Sequence, residues 1–228
     1  MRIKICGLTR REDVLTAQRL GVDYVGVVLS AGFGRSVDPR DASDLVDGVS
    51  ATRVAVLVDE ATGAAVERAV ALGAGVVQLH GEESPEHALQ IRREGPWRVW
   101  KAVRAQDLSD VRRAVDVFGD AVDGFLLEGK REGVVGGGGA RLDPIAFIAV
   151  SEILPPDLDF VLAGGLTPGN VGDAMARLAP QVVDVSSGVE RERGRKDPDL
   201  MRRFVEEVRG AALDLSPESI EREPRNAP

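Results

Sequence analysis

Short apolar runs rich in valine and isoleucine alternate along this chain with longer stretches whose apolar positions recur at helical spacing. A run of four to eight such residues bounded by turn residues reads as a strand, and the 3.6-residue recurrence reads as a helix packed on it. Strands are predicted near residues 2–6, 23–29, 53–58, 75–80, 98–103, 122–128, 159–163 and 182–186, each with a helical pattern after it. That rhythm means βα units and a parallel sheet. Eight units in succession point to a single-domain α/β protein, a closed (βα)8 TIM barrel. A doubly wound open sheet is the competing arrangement, because periodicity does not report closure. Helix boundaries carry their usual signals. Thr9 leads into Arg11-Glu12-Asp13 and Leu20-Gly21 closes the first helix. Ser84 is placed to cap the helix after the fourth strand, with Pro85 at its first position. The last helix is predicted over 197–212, so the barrel is expected over residues 1–212. The polar, proline-containing segment 213–228 is expected to be a frayed tail.

Composition narrows the function classes. Within 228 residues, 37 acidic side chains oppose 29 basic ones, a formal charge of −8, and the charges are spread rather than gathered into a stripe, which argues against a nucleic-acid partner. Cys6 is the only cysteine, so an intramolecular disulfide and a cysteine metal cluster are both excluded and a reducing compartment is expected. The N-terminus reads directly as a strand rather than as a signal peptide, and the apolar runs fall far short of the ~20 residues that cross a bilayer. The expectation is a soluble, cytoplasmic protein without a membrane partner. Its oligomeric state is left open.

Candidate chemistry comes from side-chain parity. In a barrel, alternate side chains of each strand face the interior, and functional groups gather where strands end at the C-terminal face. With Ile3 and Ile5 facing the helices, Lys4 and Cys6 face inward; the same parity selects Gln78 and His80, Lys101, Glu128, and Asp184 with Ser186. Polar groups from separate strands then converge at one mouth, where a purely structural barrel would carry valine and leucine. Each also has a plainer reading. Cys6 can be a small buried hydrophobe, His80 a loop-orienting residue, Asp184 an interior ion-pair partner of Lys4, and Glu128 the start of the charge run through Lys130-Arg131-Glu132.

Two glycine-bearing turns, Ala163-Gly164-Gly165-Leu166 after the seventh strand and Ser186-Ser187-Gly188-Val189 after the eighth, suit a phosphate, since glycine admits close backbone approach and a short helix offers free N–H groups. A third stretch, residues 133–139, lacks the lysine and serine/threonine ending of a P-loop and reads as a mobile loop over the mouth.

At these residues the chain resembles the phosphoribosylanthranilate isomerase family over nearly its whole length. The resemblance rests on Lys4-Ile5-Cys6-Gly7-Leu8-Thr9, Arg35-Ser36-Val37, Gln78-Leu79-His80-Gly81-Glu82, Leu162-Ala163-Gly164-Gly165-Leu166 with Pro168, Asn170 and Val171, and Val183-Asp184-Val185-Ser186-Ser187-Gly188-Val189-Glu190. It implies an Amadori rearrangement of N-(5-phosphoribosyl)anthranilate in tryptophan biosynthesis, an intramolecular oxidoreduction of the aldose–ketose type with neither metal nor organic cofactor. By position, Cys6 would be the general base, acting as a thiolate that Lys4 or another nearby cation helps to populate. The general acid would be the group at 128, where this chain has Glu128 and the family has aspartate. Arg35 would pair with the anthranilate carboxylate, and Asp184 would contact the substrate amine or orient the bound intermediate. Lys4, Gln78 and His80 would line the substrate, and Gly164, Gly165, Ser186, Ser187 and Gly188 would hold the phosphate. Two further departures lie at the mouth: Gly138-Gly139-Ala140 lacks the family's threonine/serine and lysine, and Leu29-Ser30-Ala31-Gly32-Phe33-Gly34-Arg35 lacks its Ser-Pro-Arg. Alternatives are a recruited paralogue acting on another phosphorylated aryl-aminosugar and a non-catalytic phosphosugar-binding barrel.

Overall fold

The computed structural model describes residues 1–129 and 149–214. Its eight long strands are β1 (Arg2–Ile5), β2 (Tyr24–Val28), β3 (Thr52–Leu57), β4 (Val76–Leu79), β5 (Arg98–Ala105), β6 (Gly124–Gly129), β7 (Asp159–Leu162) and β8 (Val182–Val185). All pair in parallel in sequence order, and β8 returns to β1, with Lys4 opposite Asp184, so the sheet is closed. Each strand lies within two or three residues of its predicted span, because these runs are apolar on both faces and flanked by turns. The helices are α1 (Arg11–Arg19), α2 (Ala42–Leu45), α3 (Thr62–Leu72), α4 (Pro85–Arg93), α5 (Leu108–Phe118), α6 (Val150–Ile153), α7 (Val171–Leu178) and α8 (Pro198–Asp214). A short antiparallel hairpin, β9 (Glu190–Glu192) with β10 (Arg195–Lys196), stands between β8 and α8.

The predicted caps divide. Ser84 Oγ accepts from the His87 N–H at 3.2 Å, with Pro85 opening α4, and Gly21 follows α1 at φ +66°. Thr9, by contrast, does not cap α1: the N-cap is Arg10, without a side-chain bond, and the Thr9 hydroxyl instead donates to the Gly194 carbonyl at 2.6 Å. A partner far along the chain has claimed the hydroxyl. Helix α8 runs through Leu213 and Asp214, into the segment expected to be tail. Residues 133–139, Ala140 and the rest of the expected tail lie outside the described residues. No helix among the described residues is long and apolar enough to cross a membrane.

Two apolar layers hold the barrel. Ile3, Ile5, Val25, Val27, Val77, Phe125, Leu127, Val183 and Val185 pack outward against the helices. Val54, Val56, Val76, Trp100, Leu126, Val161 and Val182 fill the interior with Tyr24 and Cys6. The interior layer at the N-terminal end is closed by Asp159, which accepts from Trp100 Nε1 at 3.0 Å and pairs with Arg2 at 2.6 Å and with Arg98 at 2.5 Å. Removing the Trp100 ring would leave an unfilled space at the centre of the barrel and orphan one bond of Asp159. Trp100→Ala is expected to lower unfolding free energy by ~3–5 kcal/mol, read from urea denaturation; a loss under ~1 kcal/mol would contradict this account of the interior.

Candidate active site

The strand ends at the C-terminal face enclose a cavity reached by Cys6, Gln78, His80, Glu128 and Asp184, with Val28, Val56, Val58 and Leu126 as its apolar wall. The inward positions read from strand parity do meet there, with one exception. Lys101 faces the helix layer: its ammonium binds Glu83 at 3.1 Å and the Gly81 carbonyl at 2.7 Å, and lies over the Phe118 ring. The interior positions of β5 are Trp100, Ala102 and Arg104, and Arg104 is the β5 side chain that lines the cavity. The signal was present, since Val99, Lys101, Val103 and Ala105 form the more apolar of the two alternating sets and outward-facing positions throughout this barrel are apolar.

Lys4 sits one layer below the cavity floor, fully buried, and does not line it. Its ammonium holds Asp184 Oδ1 at 3.0 Å. Burial works against that charge, yet the carboxylate and the neighbouring Cys6 sulfur outweigh it and raise the Lys4 pKa. Cys6, 8 % exposed, opens into the cavity above this pair. Burial pushes its thiol above the ordinary cysteine value, and the Asp184 charge adds to the effect, so that Lys4 only partly offsets them. These surroundings favour the thiol, and Lys4 alone does not populate the thiolate. Gly26 on β2 leaves room for it: a Cβ there would stand 2.9 Å from Cys6 Sγ and 3.2 Å from Lys4 Cε.

Across the cavity, Glu128 Oε1 accepts from Arg104 Nε at 3.0 Å and lies 3.4 Å from His80 Nε2. Arg104 also reaches the His80 carbonyl at 3.2 Å, tying the end of β4 to the ends of β5 and β6. Burial alone would raise the Glu128 pKa, but His80 and Arg104 together bring it below the usual glutamate range. The Gln78 amide lies 2.9 Å from His80 Nδ1. With that amide donating, the ring hydrogen sits on Nε2, facing Glu128. Gln78 Oε1 is buried and has no partner among the described residues, an acceptor left for a donor inside the cavity.

One end of the cavity is lined by backbone amides without a partner among the described residues. Gly164 and Gly165 take φ of +86° and +63°, a left-handed pair that side chains disfavour. Gly188 lies so close to the Leu166 carbonyl that a Cβ would collide with it. Ser187–Val189 form a 3-10 turn, and among the described residues no hydrogen bond engages the N–H groups of Gly164, Gly165, Ser187 or Gly188. Ser186 is bound differently: its carbonyl accepts from Lys196 Nζ at 3.0 Å.

Arg35 is fastened to the hairpin. Its Nε and Nη2 hold the two carboxylate oxygens of Glu190 at 2.7 Å each, and Lys196 Nζ joins Glu190 at 2.9 Å. Burial opposes ionisation of Glu190, but these cations hold its pKa below the usual range. The loop that carries Arg35 is closed without a proline. Ser36 Oγ donates to the Ser30 carbonyl at 2.6 Å, and Ser30 Oγ accepts from the Val58 N–H at 2.9 Å. The placement of Arg193 and of the Glu190–Lys196 pair was not visible from strand parity, because all three residues stand outside the barrel strands.

Against known proteins, the family model described as N-(5'phosphoribosyl)anthranilate (PRA) isomerase matches residues 3–207. The N-(5'-phosphoribosyl)anthranilate isomerase of Chromohalobacter salexigens is 40% identical over 211 residues, covering 91% of this chain and 93% of that protein. The crystal structure of phosphoribosyl anthranilate isomerase from Thermotoga maritima superposes with a TM-score of 0.81 at 33% identity, over 92% of this chain and 99% of the other. A phosphoribosyl anthranilate isomerase solved with reduced 1-(o-carboxyphenylamino)-1-deoxyribulose 5-phosphate gives a TM-score of 0.79 at 31% identity, with the same coverage.

Proposed function

This chain belongs to the N-(5'-phosphoribosyl)anthranilate isomerase family, and on that premise we propose that it converts N-(5-phosphoribosyl)anthranilate into 1-(2-carboxyphenylamino)-1-deoxyribulose 5-phosphate in tryptophan biosynthesis. The reaction is an intramolecular oxidoreduction of an aldose to a ketose, carried out in the cytoplasm without a cofactor. The observation that carries this reading is a thiol and a carboxyl, Cys6 and Glu128, lining one cavity whose end presents unengaged amides. Gly164, Gly165, Ser187 and Gly188 receive the phosphate, and Ser186 anchors that turn through Lys196. Glu128 protonates the ring oxygen as the furanose opens to the iminium. Cys6 then takes the proton from C2, giving an enolamine that tautomerises to the ketone. Asp184 faces the substrate amine, and Gln78 Oε1 accepts a hydroxyl hydrogen of the opened sugar. His80 holds Glu128 in place.

The protonation states have a kinetic consequence. The productive form needs Glu128 protonated and Cys6 ionised, whereas their surroundings favour the opposite arrangement of the same single proton. Both arrangements carry the same net charge, so their ratio does not change with pH between the two pKa values. The productive form is lost only as pH falls below the lowered Glu128 pKa or rises above the raised Cys6 pKa. Above the substrate phosphate's second ionisation near pH ~6, kcat/KM is expected to stay level to beyond pH 9. A tenfold rise per pH unit between pH 7 and 9 would show that Cys6 ionises independently. The reading as a whole is tested by expression in a tryptophan auxotroph lacking the isomerase. Growth without tryptophan is expected, and no growth with folded protein present would overturn it.

A further inference from the structure

Resting on the function just proposed, we propose that Arg104 is the positioning residue of the proton donor: by occupying Glu128 Oε1 it leaves Oε2 as the oxygen that carries and delivers the proton. Arg104 and Glu128 are register partners on β5 and β6, and both side chains line the cavity. Two N–H groups converge on one carboxyl oxygen. Arg104 Nε stands 3.0 Å from Glu128 Oε1, and His80 Nε2 stands 3.4 Å from the same atom. Glu128 Oε2 has no partner among the described residues. A carboxylic acid accepts on its carbonyl oxygen and donates from its hydroxyl oxygen. The oxygen that faces two donors is therefore the carbonyl one, and the proton sits on Oε2.

Arg104 is itself fixed. Its Nη2 donates to the His80 carbonyl at 3.2 Å, and Nη1 lies 3.8 Å from the exposed Glu82 carboxylate. With the Gln78 amide donating to Nδ1, His80 turns a neutral ring toward Glu128. On the other side of β6, β7 places Val161 and Leu162 beside Leu126 and Leu127 and brings no charge to this end. Cys6 and Asp184 stand across the cavity. Among the described residues, the Arg104 guanidinium is thus the full positive charge that meets the acid. As the bond from C1 to the ring oxygen breaks, its electron pair takes the proton from Oε2 and the nitrogen lone pair closes the C=N bond. The charge left on Glu128 stays paired with the guanidinium. Burial opposes that charge, and His80 with Arg104 outweighs it.

The first test is independent of turnover. Glu128 is titrated by NMR in protein carrying 13C-carboxyl glutamate, its resonance assigned with Glu128→Gln. Arg104→Met is expected to move the Glu128 midpoint to higher pH, because an opposite charge is lost, and Arg104→Lys to bring it part of the way back. The second test is kinetic. Arg104→Met should lower kcat on N-(5-phosphoribosyl)anthranilate about 10- to 100-fold, as for an acid misplaced by roughly 1 Å. KM should stay within about threefold, because the guanidinium faces Glu128 and His80 rather than the substrate. In a Glu128→Gln background the same substitution should change kcat by less than about threefold, since the donor it serves is gone. An unmoved Glu128 midpoint, a rise in KM without loss of kcat, or a full further loss in the Glu128→Gln background overturns the inference. If the midpoint moves as stated and the wild type does not turn over the substrate, the proposed reaction falls and the control of the Glu128 proton by Arg104 stands.

Discussion

Cys6→Ser is expected to leave the barrel folded and to lower kcat by about 10²–10⁴, the range for a positioned proton-transfer group. Serine is slightly smaller than cysteine, and Gly26 already leaves space around Sγ, so the change strains nothing. What is lost is acidity. A cysteine thiol has a pKa of about 8.5, raised here by burial and partly offset by the Lys4 charge, and its anion forms when the single shared proton resides on Glu128. A serine hydroxyl is far less acidic, and the same electrostatic help does not make it a base. The Lys4–Asp184 pair below is untouched, so unfolding midpoints should match the wild type while turnover collapses. Near-normal kcat in this variant would remove Cys6 from the mechanism.

Glu128→Gln carries the second large effect, a loss in kcat of about 10²–10⁴, because the amide keeps the shape and cannot give up a proton to the ring oxygen. The structure supplies a reason why glutamate can serve at this position, where the resemblance implied aspartate. The longer side chain reaches Arg104 Nε and approaches His80 Nε2, and these contacts fix a carboxyl that would otherwise project too far into the cavity. Glu128→Asp would withdraw the carboxyl by roughly 1 Å from those contacts, and misplacement on that scale costs up to about 10²-fold. The aspartate variant is therefore expected between wild type and Glu128→Gln, with kcat reduced about tenfold and the acid still present. Should Glu128→Asp exceed the wild type on N-(5-phosphoribosyl)anthranilate, the glutamate would be tuned to a different substrate, as in a recruited paralogue. If instead Glu128→Gln turned over normally, the acid would have to be another group in the cavity.

Much of this molecule was legible before any coordinates. Eight apolar runs at regular spacing determine eight strands, because a strand covered on both faces has few ways to be anything else. Two-residue alternation then places Cys6, Gln78, His80, Glu128 and Asp184 on one side of the sheet, and closure brings that side to a single mouth. The left-handed turn at 164 and 165 was legible because its conformation is local, whereas the close contact of Gly188 is with Leu166, 22 positions earlier in the chain.

Tertiary structure decided which partner each charged group has. Lys101 and Arg104 stand three positions apart on one strand, and only the packing of β5 against Phe118 and Glu83 sends the first outward while the second meets Glu128. Sequence pattern assigned Thr9 to a helix cap, yet Gly194, 185 positions away, takes its hydroxyl. Arg35 reads from the sequence as the cation of a binding motif, and the hairpin after β8 folds back and places Glu190 against it. Periodicity reports the face a side chain occupies, because a face is fixed by backbone geometry within a few residues. It does not report ion pairing or pKa, which depend on charges and burial contributed by segments that only the closed barrel brings within a few ångströms.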